Sequence, residues 1–275
     1  MISFRLLDFF IALLYFTGAL TFLAGLVYSS PKTQDRSVFL TSLGFVLHTL
    51  DLILKYNMGI GQVLTQSQFY ISLLAWSFLL IFFILWWRLK LKFLSITAAP
   101  LALLLFSASL AVSPSTMDIP GALKGLWFSL HIGSLFISIA LLAMAFGAGI
   151  TYIYLDRKIK NKSKLTSVSR DLPSLNSFDR VNSFAVIIGF PLYTIGVLSG
   201  FIWAAFTWKT IFTWDPKEIA SVINWLLFAW LFHRRLSGAW RGRKAALMAV
   251  VLFVLTLFSM AGINFFTETH HSLRP

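Results

Sequence analysis

The sequence contains no cysteine. That excludes structural disulfides, thiolate metal sites and thiol catalysis, and it removes the usual clue to redox compartment. Charge is scarce as well. Only 12% of the 275 residues are charged, and just 10 are acidic, against about 25% charged in an average soluble domain. No nucleotide-binding motif interrupts the chain, so no source of energy for active movement is legible.

What the chain does have is apolar surface. Hydrophobic residues make up 58% of it, and several runs reach the roughly 20 residues that cross a bilayer core. These runs are far longer than barrel strands, and only helices and closed barrels satisfy their backbone in lipid. The expectation is an all-α, polytopic membrane protein forming a single domain over residues 1–275. About eight transmembrane helices are predicted, near 5–28, 37–56, 69–88, 93–113, 124–155, 180–206, 217–236 and 244–266. The first run is too long for a signal peptide and lacks a clear small-residue cleavage site, so it reads as a retained span.

The net charge of +13 does not indicate a nucleic-acid partner, because the basic residues cluster in short loops beside apolar spans. One side holds Lys32, Arg36, Arg88, Lys90, Lys92, the segment DRKIKNKSKLTSVSRD, Arg234, Arg235, Arg241, Arg243 and Lys244. The other holds only Lys55, Lys124, Lys209, Lys217 and Arg274. The Lys and Arg excess marks the first side as cytoplasmic. Both termini are then extracytoplasmic, in a bacterial-type cytoplasmic (inner) membrane. The polar stretch 156–179 reads as a cytoplasmic basic loop, either a solvated linker near anionic lipid or a docking surface for a cytoplasmic partner.

Ionisable side chains in or beside membrane spans are rare and costly, so the five histidines each ask for a reason. His131 lies near the outer end of the fifth span, and His271 just beyond the eighth, on the same side. Each alone reads as an interfacial histidine with a hydrogen-bond partner. Together they form a natural axial pair for a haem iron, with His270 adjacent as a substitute. His233 ends the seventh span on the cytoplasmic side, followed by Arg234 and Arg235. It reads either as a cation at a helix C-terminus or as an inner iron ligand with arginines for propionates. His48 lies mid-span, with Asp51 and Lys55 on the same helical side. It reads as company for a buried ion pair, or as a second inner ligand.

The extracytoplasmic stretch 207–217, TWKTIFTWDPK, is the oddest in the chain. Asp215, Pro216 and Glu218 match an N-cap, a first helical position and an acid at the third. Before them, Trp208 with Phe212 and Ile211 with Trp214 would share one face if the segment made a helical turn. Such a face is either an interfacial aromatic belt or a platform for a porphyrin.

The run FIWA, the Trp-rich loop ending in WDPKE, NWLLFAWLFHRR, AWRGRKAA, and AGINFF followed by HHS together resemble the cytochrome c assembly family of haem-handling membrane proteins, the CcsA and CcmC type. The last four spans match well, and LHTLDLILKY to AWSF keeps only an outline. The resemblance implies a haem b cargo, with His131 and His271 as outer iron ligands and His233 as the inner one. It also places Trp208, Trp214 and Asp215 in the aromatic motif. The family loop usually reads Trp-Gly-x-x-Trp-x-Trp-Asp. Here Lys209 replaces the glycine and Phe212 the middle tryptophan. Glycine allows a positive φ, and Lys209 is expected to remove that freedom. Phe212 keeps a π face without the indole donor.

Two functions follow from the resemblance, a carrier or a sensor rather than a catalyst. One is a haem carrier for cytochrome c maturation, which needs an assembly partner with an extracytoplasmic domain. The other is a haem-responsive regulator of the HemX-like branch, acting on glutamyl-tRNA reductase and favoured by the altered loop. A third reading, a solute transporter using His48, Asp51 and Lys55 as a relay, leaves the outer histidines and the loop unexplained.

Overall fold

The protein, described by a computed structural model over residues 2–58, 66–89, 91–112, 128–162 and 172–262, is helical throughout, with no strand among those residues. Eight helices follow in chain order: α1 (Ile2–Val27), α2 (Pro31–Met58), α3 (Ser67–Leu89), α4 (Ser95–Ala111), α5 (Ser134–Lys160), α6 (Leu175–Trp208), α7 (Pro216–Leu236) and α8 (Arg243–Leu257). Each coincides with one expected span. Helices α1, α2, α3, α5, α6 and α8 are long and apolar enough to cross a membrane, and α4 is a shorter apolar helix. The 21 residues of α7 cover about 31 Å at 1.5 Å per residue, but this helix is not among those apolar enough to qualify as spans. The chain is a multi-pass membrane protein.

The polar connector is shorter than expected. α5 continues through Asp156 to Lys160, and α6 begins at Leu175, so both ends of the stretch 156–179 are helical. Arg, Lys and Ile propagate a helix readily. Asp156 is moreover buried, with Arg243 3.8 Å away, which ties this turn of helix down.

The helices gather into two compact units, Met1–Met117 with Arg157–Ser174, and Asp118–Asp156 with Leu175–Pro275. In the first unit, α1 and α2 form a hairpin closed by Ser30 N–H donating to the Gly25 carbonyl at 2.8 Å. Ser29 lies at φ +48°, as a left-handed helix stop requires. α4 packs on α1 and α3, around fully buried Tyr15, Phe78, Phe82 and Phe106.

The second unit is built on α5, the most buried of the membrane helices. Its core face is lined with small residues, among them Ser138, Ala140, Ala143, Ala145 and Ala148. Small side chains let neighbouring membrane helices approach closely. Ser138 Oγ reaches across to the Gly189 carbonyl of α6 at 2.8 Å. Helix α7 lies along α6, with Phe190 among Trp225, Phe228 and Phe232. Trp225 Nε1 donates to Thr194 Oγ1 at 3.0 Å. At the basic end, Asp179 near the start of α6 accepts from Arg235 Nη1 at 2.7 Å and from the Gly242 backbone at 2.8 Å. That ion pair pins the α7–α8 turn.

Candidate functional site

His131 sits in a π-helical turn, Phe128–Gly133, that precedes α5. Such wide turns are rare and tend to occur at functional positions. Its Nδ1 lies 2.7 Å from the Gly196 carbonyl oxygen of α6. A carbonyl can only accept, so Nδ1 carries the proton and Nε2 the lone pair. A backbone bond to the far nitrogen is the usual way a metal-ligating imidazole is oriented. Gly200 makes room for the ring: a Cβ there would lie 2.8 Å from His131 Cε1. The Nδ1 and Cε1 side of the imidazole therefore faces α6, held by one glycine carbonyl and admitted by another glycine.

The aromatic loop is not helical. α6 stops at Trp208, and residues 209–215 are irregular, so the expected shared helical face does not form. The stop has a local cause. Lys209 takes φ +60°, the left-handed conformation that ends many helices and suits glycine. The expectation that Lys209 removes this freedom is therefore overturned, because lysine adopts the conformation itself. Trp214 is also left-handed, at φ +62°.

Tertiary contacts pair the aromatics instead. The Phe212 ring is 5.0 Å from that of Trp214, edge to face, and 5.9 Å from Phe201 of α6. Trp214 is 77% exposed and Ile211 66%, so the loop presents bare indole and aliphatic surface. The N-terminus of α7 fixes it from below. Asp215 Oδ1 accepts from Lys217 N–H at 2.8 Å, as expected of the N-cap. Glu218 Oε2 accepts from Thr213 N–H at 2.7 Å, two residues further out than an ordinary capping box reaches. Both acids are buried.

At the other end of α7, His233 is exposed. The two arginines after it differ. Arg235 is buried and spent on the fold: its side chain is 3% exposed, and both terminal nitrogens bond Asp179. Arg234 lies with its guanidinium carbon 5.5 Å from the Trp240 ring centre. Its Nε is buried with no hydrogen-bond partner among the described residues.

His48 is fully buried in the first unit. Its Nδ1 is 2.9 Å from the Tyr15 hydroxyl and its Nε2 2.8 Å from Ser72 Oγ. Both ring nitrogens are thus engaged by side chains, and neither points at a ligand. Asp51 and Lys55 pair at 2.8 Å, with Asp8 joining at 3.0 Å. His270 and His271 lie outside the described residues, as does the middle of the basic connector.

His131, the aromatic loop, His233 and Arg234 all belong to the second compact unit. The sequence pattern of the family described as Cytochrome C assembly protein matches residues 66–271, a stretch that contains every one of them. The chain belongs to this family. It is similar to the cytochrome c biogenesis protein CcsA of Chlorella vulgaris, 32% identical over 259 residues, 82% of this chain and 81% of that one. The CcsA of Guillardia theta is 29% identical over 226 residues, 75% of each chain. That of Prochlorococcus marinus (strain MIT 9301) is 28% identical over 265 residues, 88% of this chain and 85% of the relative. His48 falls before the matched stretch.

Gly196, Gly200 and Asp179 escaped the sequence reading. A lone glycine or aspartate carries no signal until its neighbour across the bundle is known. Trp240 had a signal, an indole in the Arg-rich AWRGR turn, where a solvated loop needs no aromatic.

Proposed function

We propose that this protein carries haem across the membrane and presents it at the extracytoplasmic face for cytochrome c maturation. The observation that carries the reading is His131, held by the Gly196 carbonyl in the tautomer whose Nε2 is the metal-binding nitrogen. Haem is the cargo, and the chain's own residues supply ligation, orientation and apolar cover.

At the outer station, His131 and His271 take the two axial positions. Phe212 and Trp214 offer aromatic surface in the same compact unit as His131, held by the Asp215 and Glu218 caps. At the inner station, His233 ligates and Arg234 holds a propionate. Arg235 and His48 hold the fold at those places, since both terminal nitrogens of Arg235 are committed to Asp179 and both ring nitrogens of His48 to Tyr15 and Ser72. The CcsA relatives are named for cytochrome c biogenesis, which supports this use of the cargo. A partner with a large extracytoplasmic domain receives the haem or positions the apocytochrome. The regulator reading drew on the altered loop and on the chain's small size, and the left-handed Lys209 bears only on the positive φ that glycine would have allowed.

The test is an absorption spectrum with iron-to-protein stoichiometry on the purified chain, followed by complementation of a strain lacking its CcsA. Haem-loaded protein and restored holocytochrome are expected. Protein that stays colourless through a hemin titration overturns the proposal. Haem binding without rescue, together with co-purifying glutamyl-tRNA reductase, transfers the function to the regulator.

A further inference from the structure

We infer that Trp230, Trp240 and Arg234 form the porphyrin-facing wall of the His233 station, a second aromatic platform at the opposite end of α7 from the outer loop. The inference rests on the carrier reading. The main chain at Trp240 is tied into the turn after α7. Its backbone N–H donates to the Arg234 carbonyl at 3.0 Å, and its own carbonyl accepts from Arg235 Nη1 at 3.2 Å. Arg235 is in turn locked to Asp179.

The Trp240 ring is 5.3 Å from that of Trp230, tilted by 48°. Trp230 is half exposed, and His233, three residues on, lies on the same helical side and is exposed too. Arg234 lies over the Trp240 ring, an arrangement that steadies a guanidinium. Its Nε is buried with no hydrogen-bond partner among the described residues, and a guanidinium offers paired N–H groups that can grip a carboxylate side-on.

A ligand that uses all of these groups has a broad aromatic face, a carboxylate and a metal open to imidazole. A metalloporphyrin has the three together. A lipid phosphate uses only the arginine, so the observations favour the porphyrin.

The experiment isolates the inner station with the full-length chain carrying His131→Ala and His271→Ala, titrated with hemin in detergent. Added Trp230→Leu, Trp240→Leu or Arg234→Gln should each weaken binding about tenfold or more, some 1.4 kcal/mol. Trp240→Phe should keep most of the affinity, because a ring remains. The Arg234→Gln loss should vanish with hemin dimethyl ester, which has no free propionate. Thermal unfolding of each variant separates a lost wall from a lost fold, and Trp240→Phe keeps the test open if Trp240→Leu fails to fold.

Binding of hemin by both Trp→Leu variants as tightly as by the background overturns the wall while leaving His233 as a ligand. A background that binds no hemin overturns the inner station itself, and the wall with it. Unchanged hemin affinity with weakened association to phosphatidylglycerol vesicles assigns the cluster to lipid instead.

Discussion

A single backbone angle in the aromatic loop has a cost that can be measured. At φ +60°, Lys209 holds a conformation that costs an L-residue with a Cβ roughly 1–2 kcal/mol and glycine almost nothing. Lys209→Gly should therefore raise stability by about 1 kcal/mol, read as a higher unfolding midpoint in detergent, with the loop unchanged. A lower midpoint would mean that the lysine side chain makes a stabilising contact stronger than the strain. The same scale governs His131. His131→Ala should lower haem content and change the Soret band, and Gly200→Val should do so without altering any ligand, by pushing the ring away from Gly196. Normal haem content in the Gly200 variant would show that the close approach to α6 is dispensable.

Between elements, the Asp179–Arg235 pair is the joint that holds α6, α7 and the start of α8 together. Removing one partner leaves a buried charge uncompensated, which costs about 3–5 kcal/mol. Asp179→Ala should accordingly lower the unfolding midpoint sharply. The double replacement Asp179→Leu with Arg235→Met should recover much of the loss, because an apolar pair of similar volume needs no solvation. A double variant no better than the single one would show that Asp179 works mainly through its bond to the Gly242 backbone. Helix α7 itself illustrates local chemistry winning. Asp215, Pro216 and Glu218 start it as their residue types demand, while the aromatics just before them obey tertiary contacts rather than helical spacing.

For the whole molecule, the positive-inside pattern makes a claim that labelling can check. The cysteine-free background means that one introduced thiol reports one position. Thr210→Cys, in the exposed aromatic loop, should react with an impermeant maleimide in intact cells. Ser237→Cys, at the far end of α7, should react only after the membrane is opened. The reverse pattern would invert the orientation and put the aromatic loop in the cytoplasm.

The sequence alone determined the helical membrane class and the rough limits of the eight helices found among the described residues. Those features depend on apolar length and on charge next to it, which are properties of contiguous residues. It also marked His131, His233, the caps of α7 and the aromatic loop, because ionisable and aromatic groups beside apolar runs stand out one by one. Only the tertiary structure decided what those groups do with their polar atoms. His48 and Arg235 looked equal to His131 and Arg234 as candidates, yet Tyr15, Ser72 and Asp179, distant in the chain, occupy them. A hydrogen bond saturates a donor or acceptor, and which atom it saturates depends on the helix that arrives opposite. That pairing is fixed by how α1, α2 and α3 pack in the first unit and α5, α6 and α7 in the second, not by any residue's neighbours in sequence.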